Sequence, residues 1–334
     1  MKTIPLILLL VFGTSLTTRA DDDVIPSAEA IVASTPLALT ATTTKLADQE
    51  IKVTPLKLPQ PILTSTGFKN VTSASIAGDK LYLMIGMGKA VAYQLPAAGA
   101  TDLVLDTNFG TNGELKIDNM HAQGISANTQ GDVFAQSGWS TMRYRQGAAP
   151  EKIDQGSIYW RPGKNYGFIV GNNKLTLYAN GQSQDKSLPA EGTGQVGSAG
   201  WVPGGFAYRM KEEGTKDFLR VIDAKGNKRF DLGNKEDAFE PDGFCWVHAV
   251  TSTEHVIAVA DSNCRKIVFF KANGSYIGTL KAKSLGLDYP WMPALAFAPD
   301  GTLYLAGEQR RKIKTKDEVR EAFVLRIEGI NVIK

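Results

Sequence analysis

The chain has 334 residues, 43% of them apolar and 21% charged, and its 37 basic residues exceed its 34 acidic residues by three. This is the composition of a globular protein, and a charge so near neutral gives no electrostatic reason to expect a nucleic acid or an anionic lipid surface as partner. After the first twenty residues no segment approaches eighteen consecutive apolar residues, so we expect no membrane span.

The N-terminus has the three parts of a secretory signal peptide. Lys2 supplies the positive charge, Ile4 to Phe12 the apolar run, and Thr18-Arg19-Ala20 the cleavage site. We therefore assign residues 1–20 to a signal peptide and expect an exported protein, periplasmic or extracellular. Residues 21–50 are rich in Thr, Ala, Ser and Asp and contain no aromatic residue, which predicts a flexible leader.

From residue 51 to 334 a strand-like apolar run that ends at glycine recurs six times. The glycines are spaced 34 to 55 residues apart. Repeats of this length, made of short strands, predict an all-β fold, a six-bladed β-propeller of four-stranded antiparallel blades. The six glycines are Gly99, Gly147, Gly181, Gly226, Gly274 and Gly329.

A tight turn precedes each of these runs and is followed by residues of alternating polarity. Each repeat thus reads as strand a, hairpin, strand b, loop, strand c, glycine turn and strand d. The segment Ile51 to Pro59 is expected to pair with the last blade and close the ring. The turns centre on Gly78, Gly131, Gly163, Gly204, Glu254 and Asp300.

The two cysteines are predicted to form a disulfide. In the fifth repeat the hairpin centres near Glu254, so that residues whose numbers sum to 509 lie opposite each other. Cys245 and Cys264 satisfy this sum, and export to an oxidising compartment favours the bond. Two thiols that bind a metal ion are the alternative, which no C-x-x-C spacing supports.

Unusual residues concentrate on one face of the predicted propeller, where the loops before strands a and between strands b and c meet. Two readings are open: an aromatic and polar ligand site, or His and carboxylate ligands of one divalent ion of calcium, zinc or manganese. A structural role in packing or in lining the channel is the alternative for each residue. The ligand-site candidates are Trp139, Trp246 and Trp291, and the metal-ligand candidates are His121, His248 and Asp261.

Basic residues on the same face complete the set of candidates. The segment Glu308 to Glu321 is the longest insertion and is interpreted as the loop between strands b and c of the sixth blade, with a short helix at its end or a solvated run of charge. It carries Arg310 and Arg311, and Arg265 follows strand b of the fifth blade.

Three segments carry a resemblance to a known family. The stretches Gln123 to Gly138, Asp261 to Gly278 and Met292 to Gly307 resemble NHL-repeat and gluconolactonase-like (SMP-30) propellers. The resemblance implies a six-bladed propeller in which a divalent cation in the channel polarises a carbonyl and activates water. His121 and His248 are also loosely similar to the histidine zinc ligands of NHL-like lyases that act on peptidyl-hydroxyglycine.

Two functions follow from these observations. The first is a non-enzymatic binding module, monomeric and without a certain cofactor, which binds a protein, a cell-envelope component or a small molecule through the loops of this face. The second is a metal-dependent hydrolase or lyase of the gluconolactonase or NHL type. No phosphate-binding loop, G-x-S-x-G turn or H-E-x-x-H helix appears, so we favour the binding module.

Overall fold

The structure is a computed structural model that describes most of the chain. Residues 37–330 are described except for 61, 66–70, 86–87, 118–123, 138–139, 156, 161–165, 172–173, 180–181, 190–198, 211–213, 224 and 312–318. The predicted signal peptide and residues 21–36 of the predicted leader lie outside the described residues. Among the residues described, no helix has the length and apolar character needed to cross a membrane.

The described strands form six antiparallel sheets, which we number I to VI in chain order. Sheet I contains β4 Val71–Ala77, β5 Lys80–Ile85, β6 Lys89–Gln94, β7 Val104–Leu105 and β8 Glu114–Lys116. Sheet II contains β9 Ile125–Ala127, β10 Val133–Ser137, β11 Ser140–Tyr144 and β12 Glu151–Gln155. Sheet III contains β13 Ser157–Trp160, β14 Tyr166–Gly171, β15 Lys174–Ala179 and β16 Gln182–Pro189.

Sheets IV to VI complete the set, and sheet VI also takes in the first three strands of the chain. Sheet IV contains β17 Ala199–Val202, β18 Gly205–Met210, β19 Phe218–Ile222 and β20 Lys228–Leu232. Sheet V contains β21 Val247–Ser252, β22 Val256–Asp261, β23 Lys266–Lys271 and β24 Tyr276–Lys281. Sheet VI contains β25 Trp291–Phe297, β26 Leu303–Arg311 and β27 Val319–Glu328, together with β1 Thr42–Leu46, β2 Gln49–Leu56 and β3 Leu63–Ser65.

The sheets pack side by side in a closed ring. The first strand of each sheet contacts the first strand of the next, in the order β4, β9, β13, β17, β21, β25 and back to β4. A separate hydrophobic cluster fills each of the six junctions between neighbouring sheets. Because a single sheet cannot bury both of its faces, this radial stacking supplies the core. The predicted all-β β-propeller is confirmed.

An N-terminal strand closes the ring. β2 lies antiparallel to β27, with Lys52 opposite Glu328 and Leu56 opposite Val324, and so takes the place of the fourth strand in sheet VI. The predicted pairing of the Ile51 segment with the last repeat is thus confirmed. β1 adds a further strand outside β2. The expectation of a flexible leader up to residue 50 is wrong from Thr42 onwards, because Leu46 lies buried in the junction between sheets V and VI.

Five of the six repeat glycines are described, and each follows the third strand of its sheet. Gly99, Gly147, Gly226 and Gly274 lie in the turn to the fourth strand, whereas Gly329 follows the end of β27. All five have a positive φ, from 74° at Gly147 to 99° at Gly329. A side chain with a Cβ atom rarely adopts this conformation, which explains why the repeat places glycine there. The sixth, Gly181, lies outside the described residues. The hairpin turns at Gly78, Gly131, Gly204, Glu254 and Asp300 also join the strands as predicted, and Gly163 is not among the described residues.

Two predictions about the strands need correction. The segment Glu308 to Glu321 does not begin and end as a loop, because β26 continues to Arg311 and β27 begins at Val319, with Glu308 opposite Ala322. The short helix predicted there is replaced by strand from Val319 onwards. In sheet I the fourth strand is split into two short pieces, β7 and β8, which pair with successive parts of β6.

Candidate functional site

The face that carries the connections into the first strand of each sheet is called here the top face, and the face of the hairpins between first and second strands the bottom face. On the top face, Trp246 and His248 lie at the start of β21, and Trp291 begins β25. The His248 ring meets the Trp291 ring edge to face with centroids 4.5 Å apart. The centroids of the Trp246 and His248 rings are 6.3 Å apart. All three side chains are half-buried.

Local irregularities of the strands bring these side chains together. The register of β21 against β22 shifts between Val247 and Ala249, and that of β25 against β26 shifts between Trp291 and Ala294. A β-bulge re-aims the side chain of the extra residue, and here it sets His248 out of the regular alternation. The alternation of the sequence alone gave no sign of either bulge.

The environment of His248 keeps its imidazole neutral. Nδ1 lies 3.0 Å from the carbonyl oxygen of Trp246 and can donate a hydrogen bond to it. Burial, together with a smaller effect of the nearby Arg209 cation, lowers the pKa of His248 to about 4, although the hydrogen bond to the Trp246 carbonyl acts in the opposite direction. A neutral imidazole between two indoles offers an aromatic face and one free ring nitrogen to a ligand.

Two charged residues that the sequence did not single out extend this group towards sheet IV. The Arg209 guanidinium lies 3.7 Å from the centre of the Trp246 ring. Its Nε is 2.7 Å from a carboxylate oxygen of Asp217, which is only 5% exposed. The ion pair holds the guanidinium against the indole in a cation–π contact, which restricts the orientation of both side chains.

A buried ion pair supports the other end of the group. Glu308 is fully buried opposite Trp291 in the hydrogen-bonded pairing of β25 and β26. Arg320 Nη1 lies 2.8 Å from its carboxylate. A charge-paired carboxylate behind Trp291 makes this corner of the face rigid, since breaking such a pair leaves an uncompensated buried charge. We call Arg209, Trp246, His248 and Trp291 the aromatic row.

Asp261 is bonded to the backbone of its own sheet. Its two carboxylate oxygens accept hydrogen bonds from the backbone N–H groups of Cys245, at 2.7 Å, Trp246, at 3.1 Å, and Cys264, at 3.0 Å. Burial raises the pKa of this carboxyl, while the three amide donors and Lys266 act in the opposite direction. The three bonds tie the start of β21 to the turn after β22, so Asp261 caps the hairpin.

The cysteines lie beside this cap. The sulfur atoms of Cys245 and Cys264 are at bonding distance and their Cα atoms are 5.6 Å apart, as the predicted disulfide requires. The sum of 509 also holds for the strand pairs from Ala249–Ala260 to Ser252–Ile257. In the part of the chain that the structure describes, Cys245, Asp261 and Cys264 are the one group of three metal-ligating side chains within 4.8 Å of one another. Two of the three residues of this group, Cys245 and Cys264, are joined in the disulfide.

The remaining candidates are placed as follows. Arg265 is exposed in the turn after β22, and its guanidinium lies 4.1 Å from the centre of the Tyr289 ring. Arg310 and Arg311 end β26, opposite Arg320 and Val319. His121 and Trp139 lie outside the described residues. The metal-ligand role of His121, His248 and Asp261 stays a prediction, as does the ligand-binding role of the arginines.

The first strands of the six sheets line a central channel with a cavity of about 120 Å³. Hydroxyl groups from one sheet form hydrogen bonds with backbone groups of the next: Ser75 accepts from the Ala127 N–H at 3.0 Å, and Ser252 donates to the Trp201 carbonyl at 2.8 Å. These bonds join the inner edges of neighbouring sheets. His248 also lines the cavity, so the aromatic row borders the upper end of the channel.

The channel widens at the bottom face to a cavity of about 540 Å³. Its polar lining includes Glu254 and His255 from one hairpin and Asp300 from the next. His255 is an exposed residue of the turn between β21 and β22, on the face opposite His248.

No protein-family model and no curated protein matches this chain, so the resemblance to NHL-repeat and gluconolactonase-like propellers is not confirmed. The solved structures that are similar to it at low identity include the following three. A streptogramin B lyase aligns at a TM-score of 0.48 and 11% identity, over 84% of this chain and 100% of its own. The WD40 β-propeller domain of Doa1 aligns at 0.49 and 11%, over 86% and 97%, and the WD40 domain of Neurospora crassa Pan2 at 0.45 and 10%, over 77% and 88%.

Proposed function

We propose that this protein is an exported six-bladed β-propeller, each sheet forming one blade, that binds a ligand or another protein through its top face. The aromatic row supports this proposal best. It places two half-exposed indoles, a neutral imidazole and an arginine paired with Asp217 on three neighbouring sheets at the channel mouth. Trp and Arg dominate the energetics of binding surfaces because they combine large contact area with directional polar groups.

The row is preorganised for binding. The Arg209–Asp217 pair fixes one end, the Asp261 cap fixes the backbone of Trp246, and the Glu308–Arg320 pair backs Trp291. Little side-chain freedom then remains to be lost when a ligand binds, so more of the contact energy appears as affinity. Stacking on the indoles favours a planar or apolar group, such as a sugar face or an aromatic side chain.

A melting-temperature screen tests the proposal. The probes are sugars, lactones, amino acids and short aromatic peptides, each added to the purified mature protein. We expect at least one class to raise the melting temperature of the wild type, because binding to the folded state alone stabilises it. The shift should disappear in Trp291→Ala and in Trp246→Ala.

The matched control is Trp201→Phe, which changes a tryptophan at the opposite end of the channel. This variant should keep the shift of the wild type, measured against its own melting temperature without probe. If no probe shifts the wild type, or if both top-face variants respond as the wild type does, the aromatic row is not the binding site.

A further inference from the structure

A second feature of the top face, outside the aromatic row, presents an apolar side chain to solvent. Phe239 is 83% exposed, the largest exposure among the large hydrophobic residues that the structure describes. It lies in the connection between β20 and β21, in residues 234–243, which we call the 234–243 loop. Single exposed apolar side chains are common on protein surfaces, but aromatic residues, phenylalanine among them, are enriched in protein interfaces.

The backbone under Phe239 is held by a buried lysine. Lys266 is 4% exposed, and its Nζ donates to the carbonyl oxygens of Ala238, at 3.3 Å, and Glu240, at 2.8 Å. One ammonium therefore binds the carbonyls on both sides of Phe239, while the Ala238 side chain is buried. With both flanking carbonyls bonded to Lys266 and the Ala238 side chain buried, the Phe239 side chain is directed outwards.

Further bonds make the loop rigid from both ends. Asn234 Oδ1 accepts from the N–H groups of Glu236 and Asp237, and Asp237 Oδ1 accepts from the Phe239 N–H at 2.8 Å. Thr279 on β24 donates to the carbonyl of Pro241 at 2.7 Å. Ordering the loop costs nothing further on binding, which is the condition under which one aromatic anchor contributes strongly to affinity.

The charge around Phe239 selects the partner. Within the 234–243 loop, the acidic residues Glu236, Asp237 and Glu240 are exposed and lie within three positions of Phe239 in the chain, and Lys235 is the one basic residue. Lys235 Nζ is taken up by Asp231 at 2.6 Å. Acidic residues repel nucleic acid and anionic lipid, so the surface suits a protein that carries lysine or arginine around an apolar pocket.

Resting on the proposed function of the top face, we propose that the 234–243 loop is a docking knob, in which Phe239 inserts into an apolar pocket of a partner protein and its acidic neighbours pair with a basic rim. The knob is rigid in the free protein. Its partner is recognised by shape at the ring and by charge around it.

Peptide display tests the proposal with a defined probe. A library of random twelve-residue peptides on phage is selected on the wild-type protein, and enriched peptides are synthesised and titrated by fluorescence anisotropy. We expect enriched peptides to combine an apolar cluster with lysine or arginine and to bind Phe239→Ala about tenfold more weakly. Their affinity should also fall in Glu236→Lys with Glu240→Lys, and between about 50 mM and about 500 mM salt.

Val104→Ala is the matched control, because Val104 is a 62% exposed apolar residue on sheet I. It should bind the peptides as the wild type does, and Phe239→Ala should melt as the wild type does. Peptides that depend on Trp246 or Trp291 but not on Phe239 would overturn the knob and leave the proposed function standing. Acidic peptides, or no enriched peptides, would overturn the knob as well.

Discussion

Asp261 shows how one buried side chain organises the top face at the scale of a residue. Its carboxylate accepts three backbone hydrogen bonds, and one of them positions the backbone of Trp246 in the aromatic row. A buried acceptor of this kind is expensive to remove because its three donors are then left without a partner.

We expect Asp261→Asn to lower the free energy of unfolding by about 2–4 kcal/mol, since the amide keeps the shape but turns a donor towards the N–H groups. Urea unfolding measures the loss. The control, Asp223→Asn, removes a carboxylate that makes similar backbone bonds in an exposed turn, and should cost less. Elemental analysis for zinc, calcium and manganese completes the experiment. A metal equivalent present in the wild type and lost in Asp261→Asn would show a ligand instead of a cap.

His248 links the aromatic row to pH. Its pKa of about 4 in the folded protein lies below the ordinary value of 6.5 in an unfolded chain. The stabilisation that comes from the neutral imidazole is therefore fully present above about pH 6.5. As the pH falls from about 6.5 towards 4, His248 is protonated in the unfolded chain but stays neutral in the folded protein. The free energy of unfolding therefore decreases.

This loss should amount to about 3 kcal/mol between about pH 7 and about pH 4. In His248→Gln that part of the pH dependence should be absent, because no titrating group remains at the site. Urea unfolding at both pH values compares the two proteins. His255→Gln, an exposed turn substitution, should retain the dependence of the wild type. If the free energy of unfolding changes equally with pH in the wild type and in His248→Gln, the imidazole is exposed to water in the folded protein.

At the scale of residues, the sequence predicted a contact where a simple rule relates the positions of the two residues in the chain. The sum of 509 paired Cys245 with Cys264 because the hairpin has a fixed period and a recognisable turn. Arg209 and Asp217 escaped notice because no motif links them to Trp246, from which they are separated by 37 and 29 positions in the chain. Their contact arises only when sheets IV and V pack together, which a single sequence does not reveal.

At the scale of the elements, the repeat predicted strands well and their ends poorly. Glycine with positive φ and the alternation of apolar residues are local signals, and they located the hairpins and the turns between third and fourth strands. The length of the β26–β27 hairpin depends instead on long-range support. Glu308 is paired with Arg320 across the two strands, and β3 adds to the free edge of β27 at Val319 to Glu321. The charges of this segment suggested a loop, whereas pairing across the sheet makes it strand.

The outer strands show the same dependence on tertiary context. The Thr-rich composition of residues 42–46 predicted a leader, but threonine also suits a half-exposed strand. β1 forms because β2 offers it an edge and because Leu46 enters the junction between sheets V and VI. Composition predicts the structure of a segment in isolation. Here the contacts of Leu46 that decide the structure are with residues more than two hundred positions away in the chain.

At the scale of the whole molecule, closure of the ring depends on a strand from the opposite end of the chain. β2 completes sheet VI, and its buried Ile51 and Val53 join the cluster between sheets V and VI. Without it, β27 would expose a long row of unpaired backbone groups and the apolar side chains beneath, an edge that invites pairing with other chains.

We therefore expect a chain that starts at residue 57 to unfold at a much lower urea concentration than one that starts at residue 37, and to aggregate through β27. A synthetic peptide of residues 37–60 added during refolding should restore the higher midpoint, because it supplies both the missing strand and its apolar contacts. The same peptide with Ile51→Asp and Val53→Asp should fail, since it places charges in a core position. If the shorter chain unfolds at the same urea concentration as the longer one, the ring is stable without β2. The N-terminal segment then covers the edge of sheet VI but is not needed to close the ring.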